Sequence, residues 1–297
     1  MLSVRNLLDA SAEEPFLGTM LEKDALAAMR KQNPLDVHKG VLGKALLICG
    51  SVGMAGAATL SAQGCLRAGV GKLVIHTPQC NANILQLSVP EAILSIDANK
   101  ERPSQLPVTA IYQSVGIGCG ISVHASCATV LRDLLKQYNR PIVVDADAIT
   151  LLARHREDWM HHLPKNSILT PHAKEAERLV GLYSNLRECI GKCSALAQNV
   201  GIIIVVKGHH SAICLPDGSI LRCPTGNPGM ATGGSGDVLT GILTGLLSQG
   251  YVPHEAACLG VWLHGRAGDL AAEAISEESM LSGDLPRFIG PAWKELI

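Results

Sequence analysis

Short β-branched runs alternate with amphipathic helical stretches along this chain, and most of the runs end in a loop of glycine, aspartate, histidine or threonine. That alternation restricts the fold to an α/β class, a mainly parallel central sheet covered by helices on both faces in a three-layer α/β/α sandwich. Strands are expected at Ala45–Cys49, Lys72–His76, Ile111–Val115, Pro141–Val144, Ser167–Leu169 and Ile202–Val206. The weaker runs Ser211–Cys214 and Ser219–Arg222 bracket Pro216-Asp217-Gly218, a turn sequence that predicts a β-hairpin. Helices are expected at Ala57–Ala68, His124–Tyr138, Lys174–Val180, Arg187–Asn199, Asp237–Ser248 and His254–Ala274, with a helical lead-in over residues 1–36 centred on Leu21–Lys31. No repeat, low-complexity segment or linker divides the 297 residues, so one domain is expected.

The post-strand loops read GSVGMAGA, HTPQ, GIGCG, DADA, TPHAKE, KGHH and PTGNPGMATGGSGD. In an open α/β sheet ligands sit beyond the carboxyl ends of the strands, so these loops should share one rim. Composition removes other functions. A net charge of −1 without a basic stripe, and 3% aromatic residues, argue against a nucleic-acid partner. None of the 10 cysteines forms a C-x-x-C pair, and several sit in apolar runs, so they read as reduced, buried thiols. No stretch has signal-peptide or membrane-helix character, which makes the cytoplasm the expected compartment and a membrane partner unexpected.

The sharpest chemical signal is Gly226–Asp237, GNPGMATGGSGD, running directly into the apolar helix VLTGILTGLL. Five glycines within eleven residues cost backbone entropy unless something must approach the chain closely. Backbone N–H groups at such a helix start converge on an anion, and the helix dipole adds favourable potential. A phosphate is therefore expected on Gly234, Ser235 and Gly236, with Asp237 beside it. Asp237 reads either as a helix cap or as the base that takes a proton from an attacking hydroxyl.

With HKG (His38–Gly40), GSVGMAGAA (Gly50–Ala58), LRAGVGKL (Leu66–Leu73), VDADA (Val144–Ala148), LTPHAKEAERL (Leu169–Leu179) and VVKGHHSAI (Val205–Ile213), this segment resembles the ribokinase-like superfamily and, within it, the ADP/ATP-dependent NAD(P)H-hydrate dehydratases. The resemblance runs from about His38 to about Ile289. It implies a lyase built from a kinase, which phosphorylates the extra hydroxyl of the S epimer of hydrated NADH or NADPH and then eliminates phosphate. It further implies ADP or ATP as co-substrate, Mg²⁺, a homo-oligomer (a tetramer) and functional pairing with an NAD(P)H-hydrate epimerase.

Carried over by motif position, Ala57, Gly120, His172 and Asp237 would contact the hydrated dinucleotide, while Lys207, Gly208, His209, His210, Ser211 and Gly236 would hold the adenine nucleotide. Each has a plainer alternative. Ala57 suits close helix packing, and Gly116-Ile117-Gly118-Cys119-Gly120 departs from the family's usual glycine–proline and leucine pattern. His172 could be a surface loop residue, Glu175 a cap or part of a magnesium shell, and Lys207 could snorkel to solvent. His209 and His210, read as strand neighbours, should face opposite ways and make no metal site. Asp145 and Asp147 could orient magnesium through water, or Asp147 could cap the helix AITLLARH. His264 reads as a core histidine with a satisfied hydrogen bond. The competing functions are a kinase for a hydroxymethylpyrimidine or thiazole alcohol, which would not be expected to carry both GMAGAA and TPHAKE, and a non-catalytic nucleotide sensor, which would gain nothing from Asp237.

Overall fold

In the computed structural model, described for residues 17–34 and 36–297, ten strands form one sheet. In chain order they are β1 (Thr19–Met20), β2 (Lys44–Ile48), β3 (Lys72–Pro78), β4 (Ile93–Asp97), β5 (Ser114–Ile117), β6 (Ile142–Val144), β7 (Ile168–Leu169), β8 (Ile203–Val206), β9 (Ala212–Cys214) and β10 (Ile220–Arg222). The helices are α1 (Lys23–Met29), α2 (Ala55–Arg67), α3 (Ala82–Ser88), α4 (Ala125–Gln137), α5 (Ala146–Arg154), α6 (Arg156–Trp159), α7 (Ala173–Val180), α8 (Leu186–Val200), α9 (Ser235–Ser248), α10 (Pro253–Ala274) and α11 (Leu285–Lys294). The spatial order is β1-β10-β9-β8-β7-β6-β5-β2-β3-β4. From β4 to β8 neighbouring strands run parallel, whereas β8, β9 and β10 pair antiparallel.

Strand order reverses between β2 and β5. From β2 the chain winds outward through β3 to β4, then crosses to β5 on the other side of β2 and winds away through β6, β7 and β8. The loops after β2 and β5 therefore diverge and leave a crevice at the carboxyl rim, where open α/β sheets place their ligands.

Period-two alternation assigns the two faces. Leu46, Val115, Ile142, Val144 and Ile204 pack with α4, α5, α7 and α8. The intervening Ala45, Leu47, Val143, Ile168 and Ile203 face the layer of α2, α9 and α10. Within that second layer α2 and α9 touch backbone to backbone. A Cβ on Gly241 would stand 1.9 Å from the Ser61 carbonyl oxygen, and one on Gly64 2.4 Å from that of Val238. Glycines within VLTGILTGLL thus serve helix packing, while the ligand-facing glycines lie before the helix.

The expected hairpin is present, with Ile220 opposite Cys214 and Leu215 donating to the Ser219 carbonyl. Other boundaries move. The expected strand Ile111–Val115 lies at Ser114–Ile117, because Ile111 is solvent-exposed in a turn and Tyr112 folds inward. Strand β4 and helix α3 are additional to the expected elements. Ile93 and Ile96 of β4 remain 57% and 41% exposed on the sheet edge, so the strand lacks the clean alternation of a buried one. The lead-in contains β1 and the seven-residue α1, and its first sixteen positions fall outside the described residues.

Gly241→Ala tests the α2–α9 contact. Alanine gains about 1 kcal/mol of helix propensity over glycine. Over-packing typically costs about 1–3 kcal/mol, and here the new methyl meets immobile backbone, so the cost wins. The variant should unfold at lower urea concentration than the parent; an unchanged or raised midpoint would mean that the two helices can separate freely.

Candidate active site

The carboxyl rim gathers the ends of β2, β5, β6, β7 and β8 around the N-terminus of α9. At its centre is Asp145, 1% exposed, the residue that follows β6 and N-caps α5. Its Oδ1 accepts from the Ala146 N–H and from Lys207 Nζ, both at 2.8 Å, while Oδ2 accepts from the Thr240 hydroxyl at 2.7 Å. Lys207 Nζ lies 3.9 Å from Glu175 Oε2 as well. Burial alone would lower the Lys207 pKa, but the attraction of Asp145 and Glu175 outweighs it and holds the ammonium protonated above its ordinary range. A Cβ on Gly236 would sit 3.1 Å from that ammonium. The lysine does not snorkel; it presents fixed positive charge to the glycine-rich turn.

Helix α9 begins at Ser235, with Gly234 in the left-handed conformation (φ +99°) at the N-cap and no side-chain cap. Its first-turn N–H groups can therefore take an anion, as the glycine pattern predicts. Asp237 stands inside the first turn and is not the N-cap residue. Desolvation pushes its pKa up to about 6; Asp145 and Asp147 add to the rise, and the Cys119 thiol and Lys207 oppose it. Two side chains brace this turn from α10. His264 Nε2 lies 2.8 Å from the Ser235 carbonyl oxygen, and burial pushes the imidazole down to about 4, so it is neutral and donates. The Asp269 carboxylate accepts from the Gly226 N–H and from Asn227 Nδ2, anchoring the start of the glycine-rich loop.

Around the switch point, Ala57 and Gly120 come together. Gly120 has φ +64°, and a Cβ there would approach the Cβ atoms of Ala57 and Met54 to 3.0 and 2.9 Å. Their floor is joined by the Gly50 N–H donating to the Cys119 carbonyl. Ser122 (φ +73°) and Ala146 (φ +47°) are non-glycine residues in left-handed backbone, and the Ser122 N–H donates to Asp147 Oδ2 at 2.8 Å. Such strain is held only where surrounding contacts over-determine it, here between the β5 and β6 loops.

Two of the open alternatives resolve as local structure. His172 caps α7, its Nδ1 accepting from the Lys174 and Glu175 N–H groups while Glu175 Oε2 accepts the His172 N–H, which completes a capping box. Burial lowers its pKa, with Lys207 acting in the same sense and Glu175 in the opposite one. Helix α5 is capped by Asp145, not by Asp147. His209 and His210 do not point apart. Strand β8 ends at Val206, the two residues lie in the turn that follows, and their rings stack at 4.2 Å. The turn closes through Ser211 Oγ and the Gly208 backbone. Thr240, Cys119 and Glu175 complete the site. Thr240 is one turn beyond Asp237 and Cys119 lies within GIGCG, but neither residue type advertises a polar role inside an apolar run.

No three His, Cys, Asp or Glu side chains converge as metal ligands among the described residues. Asp145 spends both oxygens on Lys207, Ala146 and Thr240. The donor set fits a hydrated cation carried in on phosphate oxygens better than one bound directly by protein.

A mostly parallel α/β/α sandwich with an uncapped glycine-rich helix start at its carboxyl rim has the ribokinase-like fold. Fold comparison agrees: a Thermotoga maritima ribokinase superimposes with TM-score 0.52 at 13% identity over 82% of this chain and 99% of its own. Residues 45–290 match the family model for NAD(P)H-hydrate dehydratase, and the chain belongs to that family. The ADP-dependent (S)-NAD(P)H-hydrate dehydratase of Bacillus subtilis is 32% identical over 95% of this chain and 96% of its own. A crystal structure of the ADP/ATP-dependent enzyme from that organism, co-crystallized with ATP/Mg²⁺, gives TM-score 0.82 at 28% identity over 94% and 99% of the two chains. The bifunctional NAD(P)H-hydrate repair enzyme of Moorella thermoacetica is 39% identical over 85% of this chain, which spans 49% of that relative. The chain thus covers about half the length of the bifunctional relatives it matches.

The raised Asp237 carboxyl has a stability consequence. Its folded pKa, about 6, exceeds the ordinary 3.8, so the folded state binds the extra proton. Stability from this group is therefore full at acid pH and is lost as pH rises through about 6. Asp237→Asn should then stabilise the chain at pH 8, by at most about 3 kcal/mol at about 1.4 kcal/mol per pH unit, with the gain shrinking towards pH 4. Urea titrations of both proteins at the two pH values measure this; a gain independent of pH would show that the Asp237 environment is not desolvated.

Proposed function

We propose that this chain dehydrates the S epimer of hydrated NADH or NADPH back to the reduced dinucleotide, using ADP or ATP as phosphoryl donor. The observation that carries the reading is the uncapped helix start at Gly234–Gly236, with Asp237 in its first turn and the Lys207 ammonium across Gly236; desolvation raises the Asp237 carboxyl to about 6. Above that pH the carboxylate accepts the proton of the ring hydroxyl as the hydroxyl oxygen attacks the terminal phosphorus, whose bond to the bridging oxygen breaks and releases the nucleotide one phosphate shorter. Gly234, Ser235 and Gly236 receive the transferring phosphoryl oxygens, and Lys207 meets the charge that accumulates there. Phosphate then leaves with the oxygen, and loss of the neighbouring ring proton restores the double bond. Ala57, Gly120 and the face of His172 outside its cap line the dinucleotide side, and Lys207–Ser211 the nucleotide side. Magnesium would enter on the nucleotide, its waters facing Asp145 and Asp147, and would neutralise phosphate charge. An epimerase would convert the other hydrate epimer into this substrate, an activity fitting the bifunctional repair relatives.

Support comes from both ends of the comparison. The Neisseria meningitidis relative named as an ADP-dependent (S)-NAD(P)H-hydrate dehydratase is 34% identical over 84% of each chain. GMAGAA and TPHAKE, the two motifs that separate this group from vitamin kinases, flank the same rim. Among the described residues no helix is long and apolar enough to cross a membrane.

Turnover of each hydrate epimer with ATP and with ADP, against thiazole and pyrimidine alcohols as controls, tests the reaction. Recovery of NADH absorbance with stoichiometric phosphate release is expected for the S hydrate alone; phosphorylated alcohol without NADH recovery would make the chain a vitamin-type kinase.

Asp237→Asn should bind nucleotide yet lose about 10²–10⁴-fold in kcat, the usual contribution of a general base. Wild-type kcat should fall below pH of about 6 as the carboxyl protonates. Turnover by the variant within about threefold of the parent would remove Asp237 from proton transfer.

Gly208→Val addresses the nucleotide side. A Cβ at Gly208 meets nothing within 4 Å, so the substitution leaves the protein's own packing alone. It fills the space before Lys207–Ser211, and calorimetry should show ADP binding lost with the fold intact; normal affinity would take this turn out of the site.

A further inference from the structure

A second buried polar cluster lies outside the reacting centre, at the β3–β4 edge. The Asp97 carboxylate, 4% exposed, collects five donors. Oδ1 accepts from the Asn99 N–H at 2.7 Å and the Ser104 hydroxyl at 2.7 Å. Oδ2 accepts from the Ser104 N–H at 2.8 Å and the Gln105 N–H at 3.0 Å, and lies 3.0 Å from His76 Nε2. His76 is itself buried, and its Nδ1 lies 3.0 Å from Ser95 Oγ on the paired position of β4. Burial by itself would raise the Asp97 pKa, but the Ser104, Asn99 and Gln105 donors outweigh it and keep the carboxyl below its ordinary value.

This knot ties residues 97–105 into a closed loop, and Asn99 Oδ1 tightens it by accepting from the Glu101 and Arg102 N–H groups. The loop's carbonyls then reach three neighbours, two of them beside the switch point. Glu101 accepts from the Val52 N–H at 2.7 Å, Lys100 from the Cys80 N–H at 3.3 Å, and Pro103 from the Ser126 hydroxyl at 3.2 Å. Val52 belongs to the turn Gly50–Met54, which leads into Ala57 and touches Gly120. Ser126 stands in the first turn of α4, whose preceding segment holds Ser122 against Asp147.

We propose that Asp97, held by His76 and Ser104, is the positioning residue of the dinucleotide half of the site. It fixes the loop whose carbonyls set the Gly50–Ala57 turn and the start of α4, and through them the crevice between Ala57 and Gly120. The nucleotide half, on Lys207–Ser211, depends on a separate network in which Lys207 and Thr240 both bond Asp145. The cluster's donors are backbone groups and partners that Asp97 must satisfy together, so a charge-neutral substitute loosens the loop instead of merely weakening one bond. The inference rests on the reading that Ala57 and Gly120 face the dinucleotide.

The experiment compares Asp97→Asn, Ser104→Ala and Ser104→Thr in the full chain with Ala57→Leu, which alters the crevice directly. KM for S-hydrated NADH is measured at saturating ADP, and the ADP Kd by calorimetry. Asp97→Asn should raise the hydrate KM about tenfold or more, as displaced positioning elements do, with ADP Kd within about twofold. Ser104→Ala should raise it less and Ser104→Thr, which keeps the hydroxyl, should stay near the parent. A purely structural role would lower the active fraction, reducing apparent kcat with KM unchanged, and that outcome overturns the proposal. If Asp97→Asn does not fold, the serine pair decides: equal KM for the alanine, threonine and parent proteins overturns it. If Ala57→Leu raises the hydrate KM while the cluster variants leave it unchanged, the positioning role fails and the dinucleotide reading stands. If Ala57→Leu leaves it unchanged, the dinucleotide reading fails and takes the proposal with it.

Discussion

The Asp145 carboxylate joins three parts of the molecule that share no sequence neighbourhood. It follows one strand, receives an ammonium from the end of another two strands away, and receives a hydroxyl from the helix layered beneath the sheet. A buried charge of this kind is tolerable only when its lone pairs are filled, and truncating one partner would leave the other exposed to the full cost of desolvation. With both oxygens engaged, Asp145 sets where Lys207 points and how far α9 can slide along the sheet. The uncapped helix start and the lysine across from it are therefore registered by the same group.

The rim carries more negative charge than its own stability favours. Asp237 is desolvated near Asp145 and Asp147, and the Cys119 thiol and Lys207 act to keep it ionised. A carboxylate placed in that position is a stronger base than one in water, which suits proton removal from a hydroxyl at neutral pH. The surroundings compensate with rigidity. His264 and Asp269 brace the glycine-rich segment from α10, and the α2–α9 contact removes slack beneath it. Residues that look like packing details thus hold the segment around Asp237 still.

Much of the site was legible in the residues themselves. Glycine clusters before a helix can be read as an anion cradle because glycine's conformational cost needs a reason. GMAGAA, VDADA, TPHAKE and VKG could be placed at strand ends because the apolar runs before them are unmistakable. What misled was the choice of local state at element boundaries. His209 and His210, read as strand neighbours, should face opposite ways, yet they lie in the turn after β8 and their rings stack. Asp147 was one candidate for the cap of its helix, but the chain enters that helix two residues earlier through a strained Ala146, so Asp145 caps and also pairs with Lys207. Strand β4 escaped because an edge strand exposes alternate residues on both faces and leaves no period to detect.

By itself the sequence determined the α/β class, the parallel order of layers and the chemical types available at the carboxyl rim, since periodicity, turn residues and glycine placement are local properties. Only tertiary structure decided which of those groups act together. Lys207 and Asp145 lie sixty-two positions apart, Thr240 and Asp145 ninety-five, and Asp97 reaches the crevice only through carbonyls that no side-chain pattern encodes. Pairing across such distances follows from strand order and helix register, which the packing of whole layers sets and no short segment contains.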